Sequence, residues 1–153
     1  MTRRRFVLIA VLGFIALPGT SRSATYVVRP DGLGDYPDIQ TAIYAAVDGD
    51  QIILSGGTFT GEGNRNLNYL GKAITIRSWN DEPRDCVIDC QRLGRGLVIQ
   101  NGEGPASVLR GVTVSNGQPT FNGAGVYLHE SSPTFAHCIF EGDSASLGGV
   151  IYT

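Results

Sequence analysis

Gly123-Ala124-Gly125-Val126-Tyr127 returns at a shift of 25 as Gly148-Gly149-Val150-Ile151-Tyr152, and the chain ends just beyond the second copy. Upstream of each copy, Val112 and Val114 match Cys138 and Phe140 at a shift of 26. A fixed period in the twenties, built from short β-favouring runs separated by Gly, Asn, Asp, Ser and Pro, marks units that stack as a solenoid. In a coil of parallel strands, equivalent residues lie one strand spacing apart, roughly 4.7 to 4.9 Å, and form apolar ladders inside. Val112, Val114, Cys138 and Phe140 are then inward, and Thr75 and Thr113 outward. Ile139 breaks the alternation and is expected to lie under another segment.

Working outward from the repeat, the strand candidates are Gln51–Leu54, Ala73–Ile76, Cys86–Ile88, Gly96–Ile99, Gly111–Val114 and Ala136–Phe140, each bounded by turn formers. None leads into a crossover helix, so a doubly wound sheet is disfavoured. A sandwich is the competing all-β architecture, because its strands also recur at short, regular intervals. One helix interrupts the pattern. Ile39, Ala42, Ile43, Ala46 and Val47 recur at helical spacing, with Asp38 as N-cap and Gly49 as C-terminal stop.

The first residues carry Arg3, Arg4 and Arg5, an apolar run from Phe6 to Leu17, and small residues before Ala24, the pattern of a secretory signal peptide over 1–23. An uncleaved anchor is the competing reading, but a bilayer span needs roughly 20 apolar residues. The whole chain has a formal charge of −2; without 1–23 it keeps eight basic and fourteen acidic groups, a formal charge of −6. Lys72 is its one lysine, and no arginine cluster follows a phosphate backbone, which argues against nucleic acid as a partner. Acidic polysaccharides are repelled on average unless local arginines or cations offset the field.

Three cysteines are an odd number for an exported chain. Cys86 and Cys90 share one strand face roughly 13 Å apart, too far for a disulfide. The three read as small buried apolar residues, with a bond from Cys138 to either of the others left open.

The segment Val27–Ile43, which contains Pro30-Asp31-Gly32-Leu33-Gly34-Asp35-Tyr36-Pro37-Asp38, with Gly49–Leu54 and Gly57-Thr58-Phe59, resembles the opening of pectin lyase-like proteins. It is most similar to the start of pectin methylesterases and of bacterial right-handed parallel β-helix repeat proteins. From Ser107 to Tyr152 the pattern, carried by Ser132–Phe140 and Gly148–Tyr152, resembles exported β-helix repeats of the polymorphic outer-membrane protein type. The resemblance implies an all-β, right-handed parallel β-helix with one N-terminal capping α-helix and no recognisable C-terminal cap. The expected organisation is a signal peptide over 1–23, a cap over 24–61 and coils over 62–153, the front end of a longer protein or a truncated relic. The leader over 1–23 implies export to the periplasm, the cell surface or the medium, with no membrane span after cleavage.

This scaffold hosts lyases, esterases and adhesins alike, so chemistry must come from a site. The methylesterase pattern requires a Gly-x-x-Asp-Phe aspartate, which is missing, and Leu93-Gly94-Arg95-Gly96 matches only the first part of its arginine motif. No catalytic residue is therefore carried over from that family. A polyuronate lyase needs a cation or arginine and a base for the proton α to the carboxylate. The nearest grouping is Asp89, Arg92 and Arg95, with Asp85 beside them, and its plainer reading is a solvated turn. Asp81 and Glu82 add carboxylates for calcium, without calcium-loop spacing. His129 and His137 have no zinc-like spacing, and the glycines of Gly32–Gly34 and Gly123–Gly125 read as turn residues. Tyr69, Trp79 and Phe121 are the aromatics available for stacking on sugars. The expected function is surface display, adhesion or contact with a polysaccharide or cell-surface glycan, with neither metal nor cofactor. The alternative is a carbohydrate-active enzyme of pectate lyase or pectin methylesterase type with an incomplete site.

Overall fold

The computed structural model describes residues 22–118 and 122–153, so the expected leader lies outside the described residues apart from Arg22 and Ser23. In chain order these residues form β1 (Thr25–Val28), α1 (Ile39–Ala45), β2 (Gln51–Leu54), β3 (Gly57–Phe59), β4 (Thr75–Ser78), β5 (Cys86–Asp89), β6 (Leu97–Ile99), β7 (Val108–Arg110), β8 (Thr113–Ser115), β9 (Val126–Leu128), β10 (Thr134–Ala136), β11 (Ile139–Glu141) and β12 (Ile151–Tyr152). Two 3-10 turns, Glu62–Asn64 and Pro83–Asp85, complete them. The architecture is mostly strand, in parallel sheets, with one α-helix.

Three sheets hold the strands, in the orders β1-β2-β4-β7-β10, β11-β8-β5-β3 and β12-β9-β6. Strands β7, β8 and β9 belong to three different sheets, and β10, β11 and β12 revisit the same three. The repeat is visible as register. Phe140 pairs with Val114 and Ile139 with Thr113, the longer of the two shifts, while Ile151 pairs with Val126 and Tyr152 with Tyr127, the shorter. Inward columns such as Ile52, Ile76 and Leu109, or Phe59, Ile88 and Val114, are buried almost completely. Each such side chain contributes roughly 1.5 to 3 kcal/mol by leaving water.

The corners between the first and second sheets decide where side chains go. Two residues make the turn at Ser55–Gly56, at Gly111–Val112 and at His137–Cys138. Gly111 (φ 64°) and His137 (φ 51°) occupy the left-handed region there, each as the first residue after a strand of the first sheet. The expected strand Ala136–Phe140 is therefore two strands split at His137, and Gly111–Val114 becomes a strand that starts at Thr113. The strand expected at Ala73–Ile76 begins instead at Thr75 and runs to Ser78. The remaining corner, Trp79–Asp85, is much longer, and its Asp81 reaches Arg110 of β7. Its Pro83 carbonyl accepts a 2.8 Å hydrogen bond from the Thr113 hydroxyl, so the outward-facing Thr113 is buried beneath the corner. Ile139, its partner in register, is half-buried.

Helix α1 lies against β1 and β2. Asp38 is its N-cap, accepting 2.7 Å from the Thr41 N–H, and Ile39, Ala42, Ile43 and Ala46 are buried. Val47 does not join them: the helix ends at Ala45, Ala46 is extended, and Val47 is exposed. Gly49 does not stop the helix either; its N–H donates to the Ala73 carbonyl. The terminal carbonyls of Ile43 and Tyr44 instead accept from Lys72 Nζ at 2.7 and 2.9 Å, a cation where the helix dipole favours one. Buried Asp50 ties the residue before β1 to the segment after α1, accepting from the Ala24 N–H at 2.7 Å and the Val47 N–H at 2.9 Å.

All three cysteines are free. Continuing the strand register by one residue sets Val112 between Cys86 and Cys138. Two strand spacings, about 9.5 Å, exceed disulfide reach. Burial pushes the Cys86 and Cys90 thiols up to about 12, as expected of apolar, unreactive cysteines.

Candidate functional site

On the solvent side of the first sheet, Gln51, Thr75 and Val108 form one column and Arg77 and Arg110 the next. Parallel register sets equivalent residues one strand apart, so the two guanidiniums stand on adjacent strands. The long Trp79–Asp85 corner walls this face and brings Asp81 against it, leaving a shallow trough of about 450 Å³ lined by Gln51, Thr75, Arg77, Asp81, Val108 and Arg110.

Asp81 is the hub. Its two carboxylate oxygens accept from Arg110 Nε at 2.8 Å and Arg110 Nη2 at 2.6 Å, a two-point clamp. His137 Nδ1 lies 3.2 Å from Asp81 Oδ2. Arg77 Nη1 donates to the Ser78 carbonyl at 3.1 Å and its Nε donates to Gln51 Oε1 at 3.3 Å, so its hydrogen-bond partners are neutral. The hydrogen bond from Arg110 holds the Asp81 carboxyl below the usual range. Asp81 is thus a stable anion near neutral pH and a poor proton acceptor. With one carboxylate against two guanidiniums, the trough has a local positive excess, suited to gripping anionic or hydroxyl-rich groups.

Asp89, Arg92 and Arg95 do not form the expected group. Asp89 Oδ1 accepts from the Gln91 N–H at 2.8 Å and from Asn116 Nδ2 at 3.0 Å. Arg92 is exposed with its backbone in the left-handed region. Arg95 donates to the Asn122 carbonyl at 2.9 Å and its guanidinium lies 5.3 Å over the Tyr127 ring. No ion pair joins the three among the described residues. The acids considered for calcium are likewise separately engaged: Asp81 by Arg110, Glu82 by the Arg84 N–H, Asp85 by Asn80 Nδ2. His129 is exposed, and the other histidine meets Asp81.

Of the stacking candidates, Tyr69 is buried and donates 2.9 Å to the Val108 carbonyl, so it belongs to the core. Trp79 is 60% exposed, and Phe121 lies outside the described residues. Compared with known proteins, the chain matches no family model, no curated sequence and no solved structure.

Proposed function

We propose that the chain is a right-handed parallel β-helix repeat domain of pectin lyase-like type, exported for surface display, adhesion or glycan contact, with the trough as its contact surface. The observation that carries this reading is the Arg77 and Arg110 pair on adjacent strands of an exposed parallel sheet face. Parallel strands that return in turn to the same three sheets support the coil. A shallow, open trough across several strands suits an extended polymer better than a compact metabolite. The local positive excess offsets a mature chain that is otherwise acidic, as contact with an acidic glycan requires.

The test is retention of the purified chain on immobilised polygalacturonate at low salt. Wild type should bind, added salt should release it, and Arg77→Ala should weaken binding by about tenfold. Absence of wild-type retention, or full retention by Arg77→Ala, would remove the trough from the account. Release of methanol from pectin, or of unsaturated sugars that absorb in the ultraviolet, would replace the contact reading with the enzymatic one.

A further inference from the structure

A second cleft lies at the other edge of the cap, between α1 and the turn that follows the first 3-10 segment. Its volume is about 430 Å³, within the range of small-molecule sites, and Tyr44, Arg65, Asn66, Asn68 and Glu62 are among the residues that line it. Tyr44 is 63% exposed although it lies on a helix whose other face is fully buried, and Leu70 beside it is 40% exposed. An aromatic ring left open to water above a polar cleft is the informative feature.

The cleft is rigid. Gln40 grips the backbone of Asn68 from both sides, its Nε2 donating to the carbonyl at 3.1 Å and its Oε1 accepting from the N–H at 2.9 Å. Asn66 Oδ1 accepts from the Arg95 N–H at 2.9 Å, and Asn68 Oδ1 accepts from the Leu70 N–H at 2.7 Å. These bonds fix the two amides while leaving their nitrogens without hydrogen-bond partners among the described residues. The Arg65 guanidinium, the Glu62 carboxylate and the Tyr44 hydroxyl are equally unengaged there. Donors and acceptors therefore surround one apolar ring, with the Asn66 and Asn68 amides already fixed before any ligand arrives.

Charge selects the ligand. Asp38 and Glu62 face one guanidinium, Arg65, so the cleft lacks the positive excess of the trough and disfavours anions. A pyranose matches the remaining chemistry, having one C–H face for an aromatic ring and equatorial hydroxyls that both donate and accept.

We propose that this cleft is a second carbohydrate site, taking a neutral sugar residue that stacks on Tyr44 and directs its hydroxyls to Arg65, Asn66, Asn68 and Glu62. The site shares with the trough only the class of ligand, and different residues carry it. The test is titration of the purified chain with cellotetraose, mannotetraose and galactotetraose, followed by saturation-transfer NMR and calorimetry. At least one should bind at a single site below about 10 mM. Tyr44→Ala should weaken that binding by about tenfold and Tyr44→Phe by much less, with the melting midpoint unchanged because the ring is exposed. Arg77→Ala should leave it intact. Binding of none of the three by wild type, equal binding by Tyr44→Ala, or loss in Arg77→Ala would overturn the proposal. Retention on polygalacturonate would still stand or fall separately.

Discussion

Asp143 follows β11 with one oxygen accepting 2.7 Å from the Gly117 N–H and the other buried without a partner among the described residues. Burial, aided by the charge of Glu141 and opposed by the Gly117 hydrogen bond, pushes its carboxyl up from 3.8 to about 6. A folded-state value above the unfolded one means that the protonated acid favours the fold. That stability is complete below the unfolded value and is lost as pH rises through about 6. Between about pH 5 and about pH 7.5 wild type should lose about 1 kcal/mol from this group, a figure reduced for its half-exposed position. Asp143→Asn should flatten that part of the curve, and urea midpoints at the two pH values measure it; parallel curves would count against the assignment. Asp50 acts with the opposite sign. Backbone donors Val47 and Ala24 hold its carboxyl low, so its stability is present above 3.8 and fades as pH falls through its folded value. Asp50→Ala should cost about 3 kcal/mol in denaturant unfolding, because two backbone N–H groups lose a charged acceptor. Asp38 is readable as an N-cap because capping is local. The roles of Asp50 and Asp143 are not, since Ala24 and Gly117, which donate to them, each lie 26 residues away in the chain.

Corners, rather than strands, hide the site. Alternation locates most strands closely, but it does not place a one-residue left-handed break inside Ala136–Phe140. The long Trp79–Asp85 corner lengthens the chain between paired strands, so that Thr75 pairs with Val108 and Arg77 with Arg110, well beyond the period of the later repeat. A search at that period misses the pairing and leaves Asp81 among ordinary loop acids. The Asp89, Arg92 and Arg95 grouping is near in sequence but diverges in space, each residue meeting different neighbours. Gly111→Ala tests the corner. At φ 64° an added Cβ would lie 2.6 Å from Ser78 Oγ and 2.8 Å from the Asp81 Cα. The expected cost is about 3 kcal/mol, with Asp81 displaced from Arg110 and weaker retention on polygalacturonate. His137→Gly, at the equivalent corner, should change stability by less than about 1 kcal/mol, because relief of its left-handed backbone offsets the loss of one exposed contact. A similar cost at both positions would show that corner geometry is not the controlling factor.

At the scale of the molecule, the period makes the parallel stacking legible from the repeat alone, while loops of unequal length conceal which outward residues meet. The described strands share one apolar core, but neighbours are unequal: β5 and β8 are flanked on both sides, whereas β10, β11 and β12 each pair with one strand. Leu147, Val150 and Ile151 are exposed at that end. A strand paired on one side only is held by fewer neighbours, so local opening should start there. Amide hydrogen exchange should show Val114 and Ile88 protected longest and Tyr152 first to exchange; uniform protection would indicate a single cooperative unit. At the opposite end, Lys72 clasps the last carbonyls of α1 and is the one lysine in the chain. An ammonium donating two hydrogen bonds is a weak nucleophile, and it becomes reactive only when it lets go. Acylation of this single side-chain amine therefore works as a clock, its rate counting how often that clasp on the helix end opens.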